Sequence, residues 1–90
     1  MATEEWISNL DEILKELREL LIKKQQKYGR NNIAKFGERG VFIRSYDKIE
    51  RLNQLVWNNV PEPVDETIED TWTDLAGYGI IGLMVRRGKW

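Results

Sequence analysis

The stretch "DETIEDTWTDLAGYGIIGL", residues 65–83, has five carboxylates in its first ten positions and is almost wholly apolar after them. On a helix of 3.6 residues per turn, Glu66, Asp70 and Asp74 lie on one side, and the opposite side is apolar. The apolar side consists of Ile68, Trp72, Leu75, Gly79 and Leu83. Toward the C-terminus the acidic side also becomes apolar, where it consists of Gly77, Ile81 and Met84. We therefore expect this helix to be covered on both sides, by its own chain and by a second subunit.

The acidic side of this helix needs a positive partner, because like charges at i, i+4 destabilise a helix, and more so when buried. A divalent cation is one such partner, since Mg²⁺ takes a few carboxylates together with phosphate oxygens. Asp47 and Glu50, three residues apart on the preceding helix, can complete the cluster. The predicted magnesium ligands are Asp47, Glu50, Asp70 and Asp74. The alternative is an ion-pair network without metal, in which Asp70 or Asp74 binds Lys48 or Arg51.

Length and composition bound the remaining chemistry. A chain of 90 residues forms one domain, residues 1–90, and buries only about 60% of its unfolded surface, so we expect oligomerisation to add buried area. The sequence has no cysteine and no histidine, which excludes thiol, zinc–thiolate and imidazole chemistry. The longest apolar run, residues 79–85, is too short to span a bilayer, and the acidic N-terminus does not resemble a signal peptide. A cytoplasmic location without membrane contact is the resulting expectation.

The net charge of −1 hides an uneven distribution. Residues 23–51 carry nine bases and three acids, whereas residues 1–22 carry six acids and two bases, and residues 52–90 six acids and three bases. The basic centre either pairs with the acidic flanks or forms an anion site, with phosphate as the candidate ligand. Direct nucleic-acid binding is disfavoured, because the chain is slightly acidic overall and its bases are interleaved with acids.

Helical periodicity predicts an all-α fold, a three-helix antiparallel bundle with helices at about 4–28, 41–57 and 66–87. We expect the first helix to begin after Thr3 and to end at Gly29, and Asp65 to cap the third. The first helix has the apolar stripe Ile7, Leu10, Leu14, Leu17 and Leu21. The core stripe predicted for the second is Phe42, Tyr46, Ile49, Leu52 and Val56. Residues 29–40 are predicted to be a loop, either functional or a simple surface turn.

Three motifs in the chain resemble a known family. They are "KYG" (residues 27–29), "GVFIRSYDKIERL" (residues 40–52) and "DETIEDTWTDLAGYGII" (residues 65–81). Together they resemble the nucleotide modification associated domain 1 family, which occurs in phage and bacterial proteins. That family resembles the all-α, MazG-like nucleotide pyrophosphohydrolases. The resemblance covers roughly residues 17–84 and implies a MazG-like helical unit completed by homo-oligomerisation, with a homodimer the simplest form.

The resemblance implies a function in nucleotide metabolism, as a Mg²⁺-dependent nucleoside triphosphate pyrophosphohydrolase. Asp47 and Glu50 correspond to the first metal motif of the pyrophosphohydrolases, and Asp70 and Asp74 to the second. Both depart from that pattern, because Lys48 stands where a ligand is expected and the second pair is spaced i, i+4 instead of i, i+3. The residues expected to bind phosphates are Lys27, Arg30, Lys48 and Arg51. Tyr28 and Phe36 are expected to stack on a base.

A second function, of a different class, stays open. A chain that keeps the bundle but has degenerate metal motifs can be a non-catalytic helical interaction protein, which binds a host protein or binds nucleotide without hydrolysis. No catalytic residue is assigned, and whether the chain is an enzyme stays open.

Overall fold

The computed structural model describes residues 2–90 and consists of four α-helices and a π-helical turn. The α-helices are α1 (Glu4–Tyr28), α2 (Arg30–Ala34), α3 (Gly37–Leu52) and α4 (Ile68–Arg86), and the π-helical turn is Asn53–Trp57. No β-strand occurs within residues 2–90, so the all-α prediction is confirmed. No helix in this part of the chain is long and apolar enough to cross a membrane.

Helix α1 begins and ends at the residues that local signals indicated. The Thr3 hydroxyl accepts a hydrogen bond from the Trp6 amide at 3.1 Å, which satisfies one of the free donors of the first turn. At the other end Gly29 adopts φ 79°, a conformation that glycine takes at little steric cost, and its amide donates to Gln25 O at 2.8 Å. The prediction of residues 4–28 is confirmed.

The prediction that residues 29–40 form a loop is wrong. They contain α2 and the first turn of α3, which begins four residues before the predicted residue 41. The chain turns at two glycines, Gly29 and Gly37, whose φ angles are 79° and 65°. The residues between and after these two turns can therefore be helical. Ile33 is half-buried, whereas Phe36 is exposed.

The start of α4 also differs from the prediction, because Thr67 and not Asp65 is its N-cap. The Thr67 hydroxyl accepts from the Asp70 amide at 3.1 Å, and the Asp70 carboxylate accepts from the Thr67 amide at 3.1 Å. This reciprocal capping box satisfies two of the backbone donors at the start of α4. The helix therefore begins at Ile68 instead of residue 66.

Helices α3 and α4 form the main packing unit and run antiparallel. Glu38 near the start of α3 pairs with Arg86 at the end of α4, at 2.9 Å, while Lys48 pairs with Asp74 at 3.1 Å. At the far end Arg51 Nη2 donates to Glu66 O at 2.9 Å, just before α4 begins. The buried apolar side chains of the core are Leu17, Val41, Leu52, Leu55 and Ile81.

The core stripe predicted for the second helix is wrong except at Leu52. Phe42, Tyr46, Ile49 and Val56 are between 48% and 66% exposed. The side that faces α4 instead carries Val41, Ser45, Lys48, Leu52 and Leu55, all buried or half-buried. This side buries the apolar residues Val41, Leu52 and Leu55 and also places Lys48 opposite the half-buried carboxylate of Asp74, which needs a positive partner at that depth.

Helix α1 packs on the rest of the chain through its C-terminal half only. Leu17 is buried and Leu21 is half-buried, and both approach α4 at Gly77. Every residue from 2 to 16 is exposed, including Ile7, Leu10 and Leu14 of the predicted apolar stripe. The helix thus extends well beyond the part of α4 that it contacts. We call residues 2–16 the α1 overhang.

Candidate functional site

Asp74 lies where three helices meet. Its Oδ1 is 3.2 Å from Lys24 Nζ of α1, and its Oδ2 is 3.1 Å from Lys48 Nζ of α3. The Asp74 side chain is only 21% exposed, so the acidic side of α4 is covered at this residue. A part-buried carboxylate with one lysine on each oxygen is fully paired, because desolvation makes an unpaired charge costly at this depth.

The ion-pair network continues from Lys48 to the start of α4. Lys48 Nζ also donates to Glu66 Oε1 at 3.2 Å, and Arg51 Nε lies 3.4 Å from that oxygen. Burial alone lowers the pKa of Lys48, but hydrogen bonds and attraction to Asp74 and Glu66 outweigh it, so its pKa is raised above 10.5. The ion-pair network that the sequence offered as the alternative to a metal site therefore exists between Asp74 and Lys48. Asp70 takes no part in it.

The four expected magnesium ligands are not brought together. Asp70 is exposed and its carboxylate serves the capping box, while Asp47 and Glu50 are exposed on α3. Asp70 and Asp74 share a shallow cleft with Asp65 and Glu66, into which Lys24 also projects. Within residues 2–90 no group of three or more acidic side chains has an arrangement that could hold a metal ion.

These carboxylates, as arranged, do not fit a magnesium ion, because each Asp74 oxygen already has a lysine partner. A hard divalent cation needs several free oxygen ligands around one point. Binding of Mg²⁺ at Asp74 would require Lys24 and Lys48 to leave. The magnesium site therefore stays a prediction.

A pocket of about 310 Å³ opens beside Asp74 and is lined by residues of all four α-helices. Three aromatic residues line it, together with two cationic residues and an apolar surface contributed by α1 and α4. The aromatic residues are Tyr28, Tyr78 and Trp90, and the cationic residues are Lys24 and Arg44. The apolar surface includes Leu17, Leu20, Leu21, Gly77 and Ile81. We call this cavity the Asp74 pocket.

Trp90 is held at the edge of the Asp74 pocket by two hydrogen bonds to α2. Its indole Nε1 donates to Arg30 O at 2.6 Å, and Arg30 Nη2 donates to Trp90 O at 3.0 Å. The segment after α4 thereby folds back against the residues that follow α1. Arg30, expected to bind phosphate, uses its guanidinium in this contact.

The other expected ligand-binding residues are distributed unevenly around the Asp74 pocket. Tyr28, expected to stack on a base, lines it, and Lys27 Nζ lies 5.1 Å from the centroid of the Tyr28 ring. Lys48 and Arg51, expected to bind phosphate, belong to the ion-pair network instead. Phe36, the second stacking candidate, is 76% exposed and is not part of the pocket lining.

Seven polar or aromatic residues of the pocket were not predicted from the sequence, which are Lys24, Gln25, Asn32, Arg44, Thr73, Tyr78 and Trp90. Helical spacing was an available signal for two of them. Lys24 is one turn before Tyr28, and Tyr78 is one turn after Asp74. No local signal could have found Trp90, since its partner Arg30 is 60 residues away in the sequence.

No protein-family model, curated protein or solved structure matches the chain. The observations that bear on function are therefore the residues of the Asp74 pocket and the motif resemblance within residues 17–84.

Proposed function

We propose that this chain is a small MazG-like helical protein of nucleotide metabolism, which binds nucleoside phosphates in the Asp74 pocket. One observation carries the proposal: two cationic side chains and three aromatic rings line the same cavity. A nucleotide presents anionic phosphates and a flat aromatic base. The pocket thus offers the two kinds of contact that such a ligand needs.

Arg44 and Lys24 are the residues proposed to bind the phosphates. A guanidinium binds phosphate oxygens in a bidentate fashion, and Arg44 forms no ion pair in the part of the chain that the structure describes. Lys24 is paired with Asp74, but its side chain is 48% exposed, and an ion pair at such a surface contributes little to stability. A phosphate can therefore compete for Lys24, while Asp74 keeps Lys48 as its partner.

Tyr28 is proposed to contact the base, together with Tyr78 or Trp90. Aromatic rings favour offset stacking or edge-to-face contact with other aromatic systems, and the apolar residues beneath them keep water out. The volume of about 310 Å³ is near the small end of the range for ligand pockets, so a mononucleotide is the expected ligand size.

The binding test is a titration with nucleoside mono-, di- and triphosphates, first without Mg²⁺, followed by calorimetry. We expect Arg44→Ala to weaken binding about tenfold or more, since a charge-assisted hydrogen bond contributes roughly 1.5–3 kcal/mol. Arg39→Ala is the matched control, because Arg39 is exposed on the same helix and outside the pocket lining. Equal affinities of the two variants, or no binding of any nucleotide, would contradict the proposal.

Hydrolysis is a separate prediction. A Mg²⁺-dependent pyrophosphohydrolase would release pyrophosphate from a nucleoside triphosphate, and Asp74→Asn would abolish the release. If Arg44→Ala weakens nucleotide binding but no pyrophosphate is released at millimolar Mg²⁺, the chain is a nucleotide-binding protein without pyrophosphohydrolase activity.

The second candidate function is that of a non-catalytic interaction protein. The observation that favours it is the α1 overhang, in which Trp6, Ile7, Leu10, Ile13 and Leu14 are all exposed. Apolar surface of this extent is typical of protein–protein contact sites. A failed nucleotide titration, together with a specific protein complex that Ile13→Arg abolishes, would favour this candidate over the first.

A further inference from the structure

The chain exposes more surface than a compact protein of its size. Its accessible surface is 7478 Å², whereas the scaling for compact monomers gives roughly 5,500 Å² for a mass of 10.7 kDa. Its radius of gyration is 14.6 Å, against about 12 Å expected for 90 residues. The excess of roughly 2,000 Å² is surface that folding of the single chain leaves uncovered.

The α1 overhang supplies one part of this surface. Its five large apolar side chains lie within about a third of the helix circumference, on the same side as Leu17. The side of α1 that packs on α4 at Leu17 and Leu21 thus continues past α4 with no intrachain cover. A long amphipathic helix gains its stability mainly from packing of its apolar side, so this side requires a partner.

A second uncovered apolar surface runs along α3 and the π-helical turn. It consists of Phe42, Tyr46, Ile49 and Val56, and we call it the α3 stripe. The spacing of four, three and seven residues places these side chains on one side of the helix, next to the side that contacts α4. The rings of Phe42 and Tyr46 pack against each other, with centroids 6.3 Å apart.

Charge identifies which surface fits the α1 overhang. Residues 2–16 carry five acids and one base, so two overhangs packed together would bring like charges into contact. Residues 39–56, which span the α3 stripe, carry four bases and two acids, and two of these bases, Lys48 and Arg51, are paired with carboxylates of the same chain. On α4 the exposed Trp72 is close to Glu69 and Asp70, which again repels an acidic helix. The α3 stripe therefore repels the acidic overhang less than a second overhang does.

We propose that the α1 overhang of one copy packs on the α3 stripe of a second copy, and that the contact is reciprocal. A single chain cannot make this contact with itself while Leu17 stays packed on α4, whereas a two-fold dimer makes it twice. The nine side chains of the two surfaces are about half exposed. At roughly 150–200 Å² for each whole side chain, they offer on the order of 800 Å² per copy, as much as a stable interface buries.

The first test is the mass in solution by light scattering at micromolar concentration, where we expect about twice the chain mass of 10.7 kDa. Ile13→Arg places a charge in the overhang, and we expect it to weaken association at least tenfold. Ser8→Arg adds the same charge on the other side of α1 and should leave the mass unchanged. A wild-type mass of one chain, or equal effects of the two variants, would overturn the proposal.

The second test identifies the contact and does not depend on a destabilising variant. The chain has no cysteine, so Ile13→Cys and Ile49→Cys each introduce one thiol. We expect a mixture of the two variants to form a cross-linked pair with a short bismaleimide, and Ile13→Cys alone to stay uncross-linked. Cross-linking of Ile13→Cys with itself would refute this arrangement. It would also be refuted if the mixed variants have the mass of a dimer but do not cross-link. Neither outcome bears on the nucleotide titration, because neither position lines the Asp74 pocket.

Discussion

Asp74→Asn is the most informative single substitution, because it removes the charge on which three helices converge. The variant leaves Lys48, whose side chain is 18% exposed, with Glu66 as its remaining partner and leaves Lys24 unpaired. Breaking a fully buried pair costs about 3–5 kcal/mol, whereas an exposed pair contributes about 0–1 kcal/mol. The Asp74–Lys48 pair lies between these limits, and the Lys24 pair near the lower one. We expect a loss of about 2 kcal/mol in the free energy of unfolding.

The assay is thermal and urea unfolding at a fixed chain concentration, since an oligomer makes the midpoint concentration-dependent. For a domain of 90 residues, about 2 kcal/mol lowers Tm by roughly 8–16 °C. Asp47→Asn is the matched control, because it removes the same charge from an exposed position on α3. Its effect on the free energy of unfolding should stay within about 0.5 kcal/mol.

A double-mutant cycle with Lys48→Gln separates the pair from other effects of Asp74→Asn. We expect a coupling energy of about 1 kcal/mol or more between residues 48 and 74, and a coupling near zero for residues 47 and 74. An unchanged or raised Tm of Asp74→Asn would refute this expectation, because the desolvation penalty of the carboxylate would then equal or exceed the stabilisation from its ion pairs with Lys24 and Lys48. If millimolar Mg²⁺ raises the Tm of the wild type but does not change the Tm of Asp74→Asn, that result would instead support the magnesium site.

Three further predictions follow from local features. Thr67→Ala removes the capping box of α4 and should cost about 1 kcal/mol in urea unfolding, whereas Thr73→Ala, in the second turn, should cost less. Gly79→Ala should stabilise the protein by up to about 1 kcal/mol, because nothing lies near its Cβ position; Gly77→Leu should destabilise it, because a Cβ there already lies 3.3 Å from Leu21. The raised pKa of Lys48 implies stability that is complete below pH 10.5 and declines as the pH rises through the folded-state pKa. Urea midpoints measured across that range should fall further for the wild type than for Lys48→Gln.

The features that the sequence predicted correctly depend on neighbours within about one helical turn. Thr3 and Gly29 limit α1 as expected, because capping involves groups three or four residues apart. The inward orientation of Asp74 was also predictable, since its acidic side leads into Gly77 and Ile81, both of which are buried. The all-α class follows from the same periodicity.

The features that it predicted incorrectly depend on contacts between distant residues. Phe42 and Tyr46 look like core residues by hydropathy, but α4 contacts the neighbouring side of α3, where Lys48 meets Asp74, 26 residues further along. Asp70 has the helical spacing of a metal ligand, yet its carboxylate caps its own helix. The Asp74 pocket needs Trp90, whose position depends on a contact with Arg30.

The amino-acid pattern alone predicted three of the four α-helices, both ends of α1 and the partial burial of Asp74, because hydrogen bonds and apolar periodicity within one or two turns encode them. Three features depend on the folded chain as a whole: the side of α3 that meets α4, the carboxylates that share a lysine, and the rings that line the pocket. The physical reason is that ion pairs and packing join residues 26 to 60 positions apart. These partners become neighbours only when the helices pack, and a half-buried charge is stable only when an opposite charge lies beside it at the same depth.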